Sequence, residues 1–189
     1  MSELNKIKGV KKEDALDILD RTIGFVNNCD SKASVVLGVF GVLLTILFSS
    51  EGVVELKSII KAAINQGTVS GILYFIILAF TISGFAFGII KLVQVLFPKT
   101  NCDDLNQKGI EIKSNIFFNG VCKNSTYIQY KEKIMRCSED EYLNDIISQI
   151  YINSIICKRK FANYKIGVVV ALIGFLCFLV MWGIGIIAY

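Results

Sequence analysis

Residues 166–189 have the sequence IGVVVALIGFLCFLVMWGIGIIAY, which contains no charged side chain. A helix of about 20 apolar residues crosses the hydrocarbon core of a bilayer, which is about 30 Å thick. Two more uncharged runs occupy residues 33–49 (ASVVLGVFGVLLTILFS) and 71–90 (GILYFIILAFTISGFAFGII). The sequence therefore predicts an all-α fold, an integral membrane helical bundle with three transmembrane helices.

Lysine and arginine are distributed unevenly around these three spans. Six precede the first span, two lie in residues 50–70, eleven lie in residues 98–165, and none follows residue 165. Basic residues accumulate in cytoplasmic loops. We therefore expect a multi-pass protein of the cell inner membrane, with a cytoplasmic N-terminus and an outward-facing C-terminus.

This topology divides the chain into four parts. Residues 1–32 form a cytosolic N-terminal helix, and residues 33–97 form two transmembrane helices with a short outer amphipathic loop. Residues 98–165 form a cytosolic helical segment, and residues 166–189 form the third transmembrane helix. Within the outer loop, residues 53–64 carry Glu55, Lys57 and Lys61, so we expect a short amphipathic helix lying on the membrane.

Two apolar seams with alternating spacings of three and four residues predict that cytosolic helices run directly into the first and third spans. The result is a small cytosolic helical cap continuous with the spans. A shorter helix is expected over residues 126–136, capped by Ser125, and the sequence SEDE at residues 138–141 is a capping box that starts the last helix. The first seam comprises Leu16, Leu19, Ile23, Val26, Asp30, Ala33 and Leu37, and the second comprises Leu143, Ile147, Ile150, Ser154, Cys157, Phe161, Tyr164 and Val168.

The composition argues against catalysis. Histidine is absent, which removes imidazole metal sites and the usual general base near neutral pH. The six cysteines include no CxxC pair. We therefore expect a protein that is not an enzyme and has no metal or cofactor.

Polar residues near the ends of the spans are the candidates for function. Asp30 lies on the first seam where its helix enters the bilayer, so a partner is needed for its carboxylate. We assign Asp30, Lys32 and Gln149 to a polar element for helix packing or gating; the alternative is a snorkelling lysine beside a capping aspartate. The basic run at residues 158–160 sets topology and touches anionic lipid, or else contacts a phosphate.

Gly84 and Gly88 have the GxxxG spacing that permits close contact between helices. Both packing within one chain and contact in a homo-oligomer remain open.

Four short stretches together resemble the transmembrane effectors of Pycsar, the bacterial pyrimidine-cyclase antiphage system. The family pattern has an Asp-x-Lys-Ala element opening the first span, a Phe-Phe segment after the second, and a Gln-Ile-Tyr helix leading into the last. The resemblance covers the chain from about residue 16 onward. The stretches are residues 25–44 (FVNNCDSKASVVLGVFGVLL), 114–118 (SNIFF), 143–151 (LNDIISQIY) and 160–164 (KFANY).

The resemblance implies a membrane effector of antiviral defence that acts by abortive infection. A partner cyclase makes cyclic CMP or cyclic UMP, and the effector binds this nucleotide and impairs the inner membrane. The partners are then the lipid bilayer and the cyclic nucleotide, with a homo-oligomer left open and no nucleic acid. Candidate ligand-binding residues are Arg21, Arg136, Arg159 and Lys160 for the phosphate, with Tyr127 and Tyr130 among the aromatic residues that could stack on the base.

Two functions of other classes also fit the sequence. One is a membrane scaffold or accessory protein that binds a protein partner, and the other is an unregulated small pore without a nucleotide ligand.

Overall fold

The computed structural model describes residues 10–97, 110–111 and 114–189. These residues contain six helices and no strand, which confirms the predicted fold class. The predicted cytosolic parts 1–32 and 98–165 each include residues outside the described ranges. The helices are α1 (Lys12–Leu47), α2 (Ser50–Asn65), α3 (Val69–Leu96), α4 (Phe118–Val121), α5 (Tyr127–Arg136) and α6 (Glu139–Ala188).

Three of these helices are long and apolar enough to cross a membrane, namely α1, α3 and α6. They contain nearly all of the three uncharged runs, since α1 ends two residues before the first run does and α6 ends one residue before the third. At about 1.5 Å per residue, the 50 residues of α6 extend for roughly 75 Å, well beyond the thickness of a bilayer core. The helix therefore contains a complete span and a long polar segment without a break.

The described residues fall into two compact units. Unit 1 comprises those within residues 1–28 and 98–159, and unit 2 comprises residues 29–97 and 160–189. Both α1 and α6 contribute residues to each unit. The four-part division of the sequence depends on membrane topology and stays a prediction.

Unit 2 is held together by apolar and aromatic side chains from α1, α2, α3 and α6. Phe40 of α1, Phe85 of α3 and Phe175 of α6 meet with ring centroids 5.3–5.8 Å apart. Such tilted and edge-to-face contacts add to the stabilisation from burial alone. Near the end of α6, Phe178 and Trp182 pack against α2 and α3.

Helix α2 buries its apolar face inside unit 2. Ile59 and Ala63 pack against the buried cluster of α3 and α6, whereas Val54 and Ile64 are exposed. The helix predicted over residues 53–64 is present and somewhat longer, and its position on a membrane surface stays a prediction. It ends at Asn65, and two residues later Gly67 has a φ of +59°, in the left-handed region that favours glycine.

The close approach of α3 and α6 depends on glycine. A Cβ atom at Gly88 would overlap the backbone of Ala171, whereas a Cβ atom at Gly84 would meet nothing within 4 Å. From the other side, a Cβ atom at Gly174 would lie 2.5 Å from the backbone nitrogen of Phe85. The GxxxG region therefore serves packing within one chain. Gly88 meets the backbone of Ala171, and the backbone of Gly84 and Phe85 meets Gly174.

The outward surfaces of the spans are apolar. Large exposed hydrophobic side chains recur at spacings of three and four residues, as expected for helix faces in contact with lipid. They include Val35, Val39, Val42 and Ile46 on α1, Ile72, Ile76 and Phe80 on α3, and Val169, Ile173, Leu176 and Val180 on α6.

In unit 1, Ala15 and Leu19 of α1 pack with Ile146 of α6. Of the seam predicted for α1, Leu19 and Ala33 are buried and Ile23 is 39% exposed, while the other four residues are half-buried.

The seam predicted for α6 was wrong at Ile147, Ser154 and Phe161, whereas Leu143, Ile150, Tyr164 and Val168 pack against buried clusters. Ile147 and Phe161 are exposed, and the buried face instead carries Ile146, Gln149 and Lys160. Polar side chains occupy this face because partners within the protein compensate their burial, as the pairing of Lys160 shows below.

Candidate functional site

The segment before α4 is attached to α6 by polar contacts. The backbone N–H of Asn115 donates to Oδ2 of Asp145 at 2.7 Å, and the backbone N–H of Glu111 donates to the hydroxyl of Ser148 at 3.0 Å. The hydroxyl of Tyr130 donates to the backbone carbonyl of Asn115 at 3.1 Å. Asn115 is therefore fixed by α5 and α6 together.

The start of α5 corrects one prediction. The helix is capped by Thr126, whose hydroxyl accepts from the N–H of Gln129 at 3.3 Å, and not by Ser125. Ser125 instead donates its backbone N–H to the side chain of Gln129. The cap lies one residue later than predicted because the side chain of Gln129 accepts from the backbone N–H of Ser125, the residue before the cap.

The start of α6 confirms the predicted capping box. Ser138 donates its N–H to Glu141 at 2.8 Å, and its hydroxyl accepts from the N–H of Glu141 at 3.2 Å. The backbone and then the hydroxyl of Ser138 hold the pKa of the Glu141 carboxyl below its ordinary value of 4.5. Asp145 follows four residues later, so its side chain lies on the same helix face.

These contacts border an open polar cavity of about 590 Å³ within unit 1. Its wall contains four carboxylates and two cations, together with neutral polar groups. We call it the unit 1 cavity. It is lined by Glu111, Asn115, Gln129, Glu132, Lys133, Arg136, Cys137, Glu141 and Asp145.

Two buried oxygen atoms in the wall of the unit 1 cavity have no hydrogen-bond partner among the described residues. They are Oδ1 of Asp145 and Oδ1 of Asn115. Asp145 is 1% exposed. Because an unsatisfied buried acceptor is costly and rare in folded proteins, each of these oxygens requires a donor, which an ordered water or a bound ligand supplies.

The polar element at Asp30 is an ion pair within unit 2. The ammonium group of Lys160 donates to both carboxylate oxygens of Asp30, at 2.6 and 2.8 Å. The Lys160 side chain is 8% exposed and the Asp30 side chain is 34% exposed. The expected partner of Asp30 is therefore Lys160 of α6, and not its neighbour Lys32, which is exposed. Ser34 bonds the backbone carbonyl of Asp30 and not its carboxylate.

The predicted phosphate ligands do not form one group. Arg136 lines the unit 1 cavity, where its guanidinium group is 3.8 Å from Glu132. Arg21 is exposed and donates to the backbone of Asp17 on its own helix, and Arg159 is exposed as well. Lys160 is engaged with Asp30. Their roles in ligand binding stay predictions, of which the geometry favours Arg136.

The predicted aromatic and polar residues lie in different surroundings. Tyr127 lies with Arg136 along a second depression on α5, while Tyr130 uses its hydroxyl to position Asn115. Gln149 is buried and lines a smaller cavity beside Leu19.

Sequence reasoning missed Asn115 and Asp145 as site residues. Both lie in stretches that carry the family resemblance, 114–118 and 143–151. Asp145 also follows the capping-box glutamate by four residues, which was a usable signal for a shared polar face.

Comparison with known proteins identifies the family. The sequence pattern of the Pycsar effector protein domain matches residues 14–188. The chain belongs to the Pycsar effector family. Among relatives of this Pycsar effector, the protein GmPycTM of Gulbenkiania mobilis is 34% identical over 178 residues, covering 89% of this chain and 90% of that protein. The protein EcPycTM of Escherichia coli is 28% identical over 153 residues, covering 80% of this chain and 78% of that protein.

No solved structure matches this Pycsar effector. Family membership and the three candidate spans support a role in antiviral defence at a membrane. The unit 1 cavity and the Asp30–Lys160 pair are thus features of an antiphage membrane effector.

Proposed function

We propose that this chain responds to a cyclic pyrimidine nucleotide, cyclic CMP or cyclic UMP, and then impairs the inner membrane of the infected cell. The observation that carries the proposal is the family match over residues 14–188, which includes both units. A partner cyclase supplies the nucleotide, and the outcome is abortive infection. The effector itself performs no catalysis and uses no cofactor.

The unit 1 cavity is the proposed nucleotide site. Its volume of about 590 Å³ falls in the usual range for small-molecule sites, roughly 300–1,000 Å³. Lys133 and Arg136, both in the last turn of α5, supply cations for one phosphate. A guanidinium group forms charge-assisted, often bidentate, hydrogen bonds with phosphate oxygens.

The energies involved are adequate for a switch. Moving a two-state protein from almost fully closed to almost fully open requires about 5.5 kcal/mol of differential affinity. One hydrogen bond to a charged group contributes roughly 1.5–3 kcal/mol, and stacking on a base contributes roughly 1–3 kcal/mol. When both contacts form only in the open state, they supply roughly 2.5–6 kcal/mol, which meets this requirement at its upper end, and several sites in an oligomer meet it more easily.

The proposed membrane action is that the spans oligomerise or separate once the nucleotide is bound. In this proposal the protein lies in the inner membrane with its N-terminus in the cytoplasm. The unit 1 cavity is then on the cytoplasmic side, where a cyclase acts. A reporter fused to the C-terminus and active only in the periplasm tests this orientation. Activity of a cytosolic reporter at the same position would contradict it.

The decisive experiment measures leakage from dye-loaded liposomes that contain the purified full-length protein. We expect cyclic CMP or cyclic UMP to increase leakage, and cyclic AMP to leave it unchanged. Arg136→Gln weakens the response because a phosphate contact is lost. The matched control is Lys123→Gln, which removes a charge from an exposed position outside the cavity.

Two results would contradict this proposal. Equal leakage with and without any cyclic nucleotide would identify an unregulated pore. A protein that never causes leakage, with or without nucleotide, would fit a membrane scaffold.

A further inference from the structure

The unsatisfied carboxylate oxygen of Asp145 has a definite chemical preference. Its other oxygen is already engaged by the backbone N–H of Asn115 at 2.7 Å, so the side chain is fixed in orientation. Oδ1 is buried in the cavity wall and has no partner among the residues that the structure describes. A carboxylate can only accept hydrogen bonds, so the group that completes this site must be a donor.

The neighbouring amide strengthens this preference. The side-chain carbonyl oxygen of Asn115 is the second buried acceptor without a partner, and it lines the same cavity. An amino group carries two N–H donors, which is the number needed to satisfy two acceptors. A keto oxygen placed there would instead repel both.

The cations of the cavity lie on one of its helices, although Glu132 of the same helix is 3.8 Å from Arg136. The two cations, Lys133 and Arg136, both come from the last turn of α5. Asp145 lies on α6, close after the first turn in which Glu141 stands. A ligand with an amino group at one end and a phosphate at the other matches this separation of charge.

Within residues 10–97, 110–111 and 114–189, no group of three His, Cys, Asp or Glu side chains is placed to hold a metal ion.

We propose that the unit 1 cavity selects cyclic CMP over cyclic UMP, because Asp145 and Asn115 accept hydrogen bonds from the exocyclic amino group of cytosine. Uracil presents a keto oxygen at the same position of its ring. A carboxylate is a recognised partner of the cytosine amino group. This inference depends on the proposed function, since it names which cyclic pyrimidine nucleotide the site takes.

The test exchanges one atom of the site. Asp145→Asn keeps an oxygen for the N–H of Asn115 and replaces the free acceptor with an NH₂ donor. Binding of cyclic CMP and cyclic UMP to the full-length protein in lipid nanodiscs is measured by titration calorimetry. For the unaltered protein we expect cyclic CMP to bind at least about 10-fold more tightly, the effect of one good base contact. For Asp145→Asn we expect this ratio to fall by about 10-fold or more, toward a preference for cyclic UMP.

The matched control is Asp140→Asn. It makes the same change of charge in the first turn of α6, at an exposed residue that does not line the cavity. The ratio of the two affinities should stay as in the unaltered protein. Helix content and the unfolding temperature of both variants are measured, so that misfolding is recognised.

The outcomes separate the inference from the function on which it depends. An unchanged ratio in a correctly folded Asp145→Asn variant would overturn the selection by Asp145 while leaving the nucleotide response intact. Tighter binding of cyclic UMP by the unaltered protein would also overturn it. If neither nucleotide binds, the inference and the proposed function both fail. If Asp145→Asn does not fold, Asn115→Ala is measured instead; it removes one of the two acceptors and keeps the backbone N–H that bonds Asp145, so a reduced preference for cyclic CMP supports the inference and an unchanged preference refutes it.

Discussion

Breaking the ion pair between Asp30 and Lys160 should destabilise unit 2 by an amount that the geometry permits us to estimate. The ammonium group is almost completely buried and bonded to both carboxylate oxygens, at 2.6 and 2.8 Å. Removing one partner of a fully buried pair costs about 3–5 kcal/mol, chiefly because the other charge remains buried and unpaired. One third of the Asp30 side chain is open, so water or lipid headgroups reduce this cost. We expect about 2–3 kcal/mol for Asp30→Ala.

Because Asp30 and Lys160 are paired, the losses in the free energy of unfolding from replacing each residue should not be additive. Lys160→Met removes the buried charge and leaves Asp30 partly solvated, so its cost is expected at about 1–2 kcal/mol. The double variant Asp30→Ala with Lys160→Met should cost less than the sum, by about 1–2 kcal/mol, because neither unpaired charge then remains.

The assay is thermal unfolding in detergent micelles, followed by the fluorescence of Trp182. This residue is the only tryptophan in the chain and is buried in unit 2. For a protein of this size, 1 kcal/mol shifts Tm by roughly 2–4 °C, so Asp30→Ala should lower Tm by about 4–12 °C.

The controls are Asp20→Ala and Lys165→Met, which remove charges from exposed positions of the same two helices. Additive losses in the double variant, or an unchanged Tm for Asp30→Ala, would refute the reasoning.

Two further predictions concern helix packing and the start of α6. Gly88→Ala should separate α3 from α6 and destabilise the protein by about 1–3 kcal/mol, since its Cβ atom would overlap the backbone of Ala171. Gly84→Ala, where the same atom meets open space, is the matched control for a thermal unfolding experiment; equal losses would contradict the packing seen here. The Glu141 carboxyl has a pKa below its ordinary value in the folded protein, so its contribution is fully present above pH 4.5 and is lost as the pH falls through the lower, folded value. Hydrogen exchange of the first turn of α6 should therefore be slower in the unaltered protein than in Glu141→Gln at pH 7, and the difference should vanish at low pH.

The spans were predictable because the signal for them is local. Uncharged runs at residues 33–49, 71–90 and 166–189 each determine their own structure, since the backbone in lipid must form its own hydrogen bonds. The capping box at residues 138–141 was predictable for the same reason, because all its hydrogen bonds lie within one turn.

The buried face of α6 could not be predicted from periodicity. Ile147 and Phe161 look like core residues, and Lys160 looks like a basic residue beside the membrane. Lys160 is buried only because Asp30, 130 residues earlier in the chain, neutralises it. Hydrophobic periodicity assigns polar residues to the exposed face of a helix, so it misplaces a buried face whose polar residues are paired.

The unit 1 cavity was beyond sequence reasoning for a related cause. Asn115 and Asp145 are 30 residues apart, and their contact depends on how the segment before α4 settles on α6. The site can accept hydrogen bonds through Oδ1 of Asp145 and Oδ1 of Asn115, which have no partner among the described residues. No single stretch of sequence carries that information.

The meeting of Phe40, Phe85 and Phe175 has a consequence for how charge could move through the membrane. One ring from each spanning helix fills the space among the three, so an ion there would lose its hydration shell and gain only hydrocarbon neighbours. Conductance through a single copy therefore requires the three rings to part. Otherwise the current flows along surfaces between copies, and it should then rise more steeply than in proportion to the amount of protein per vesicle.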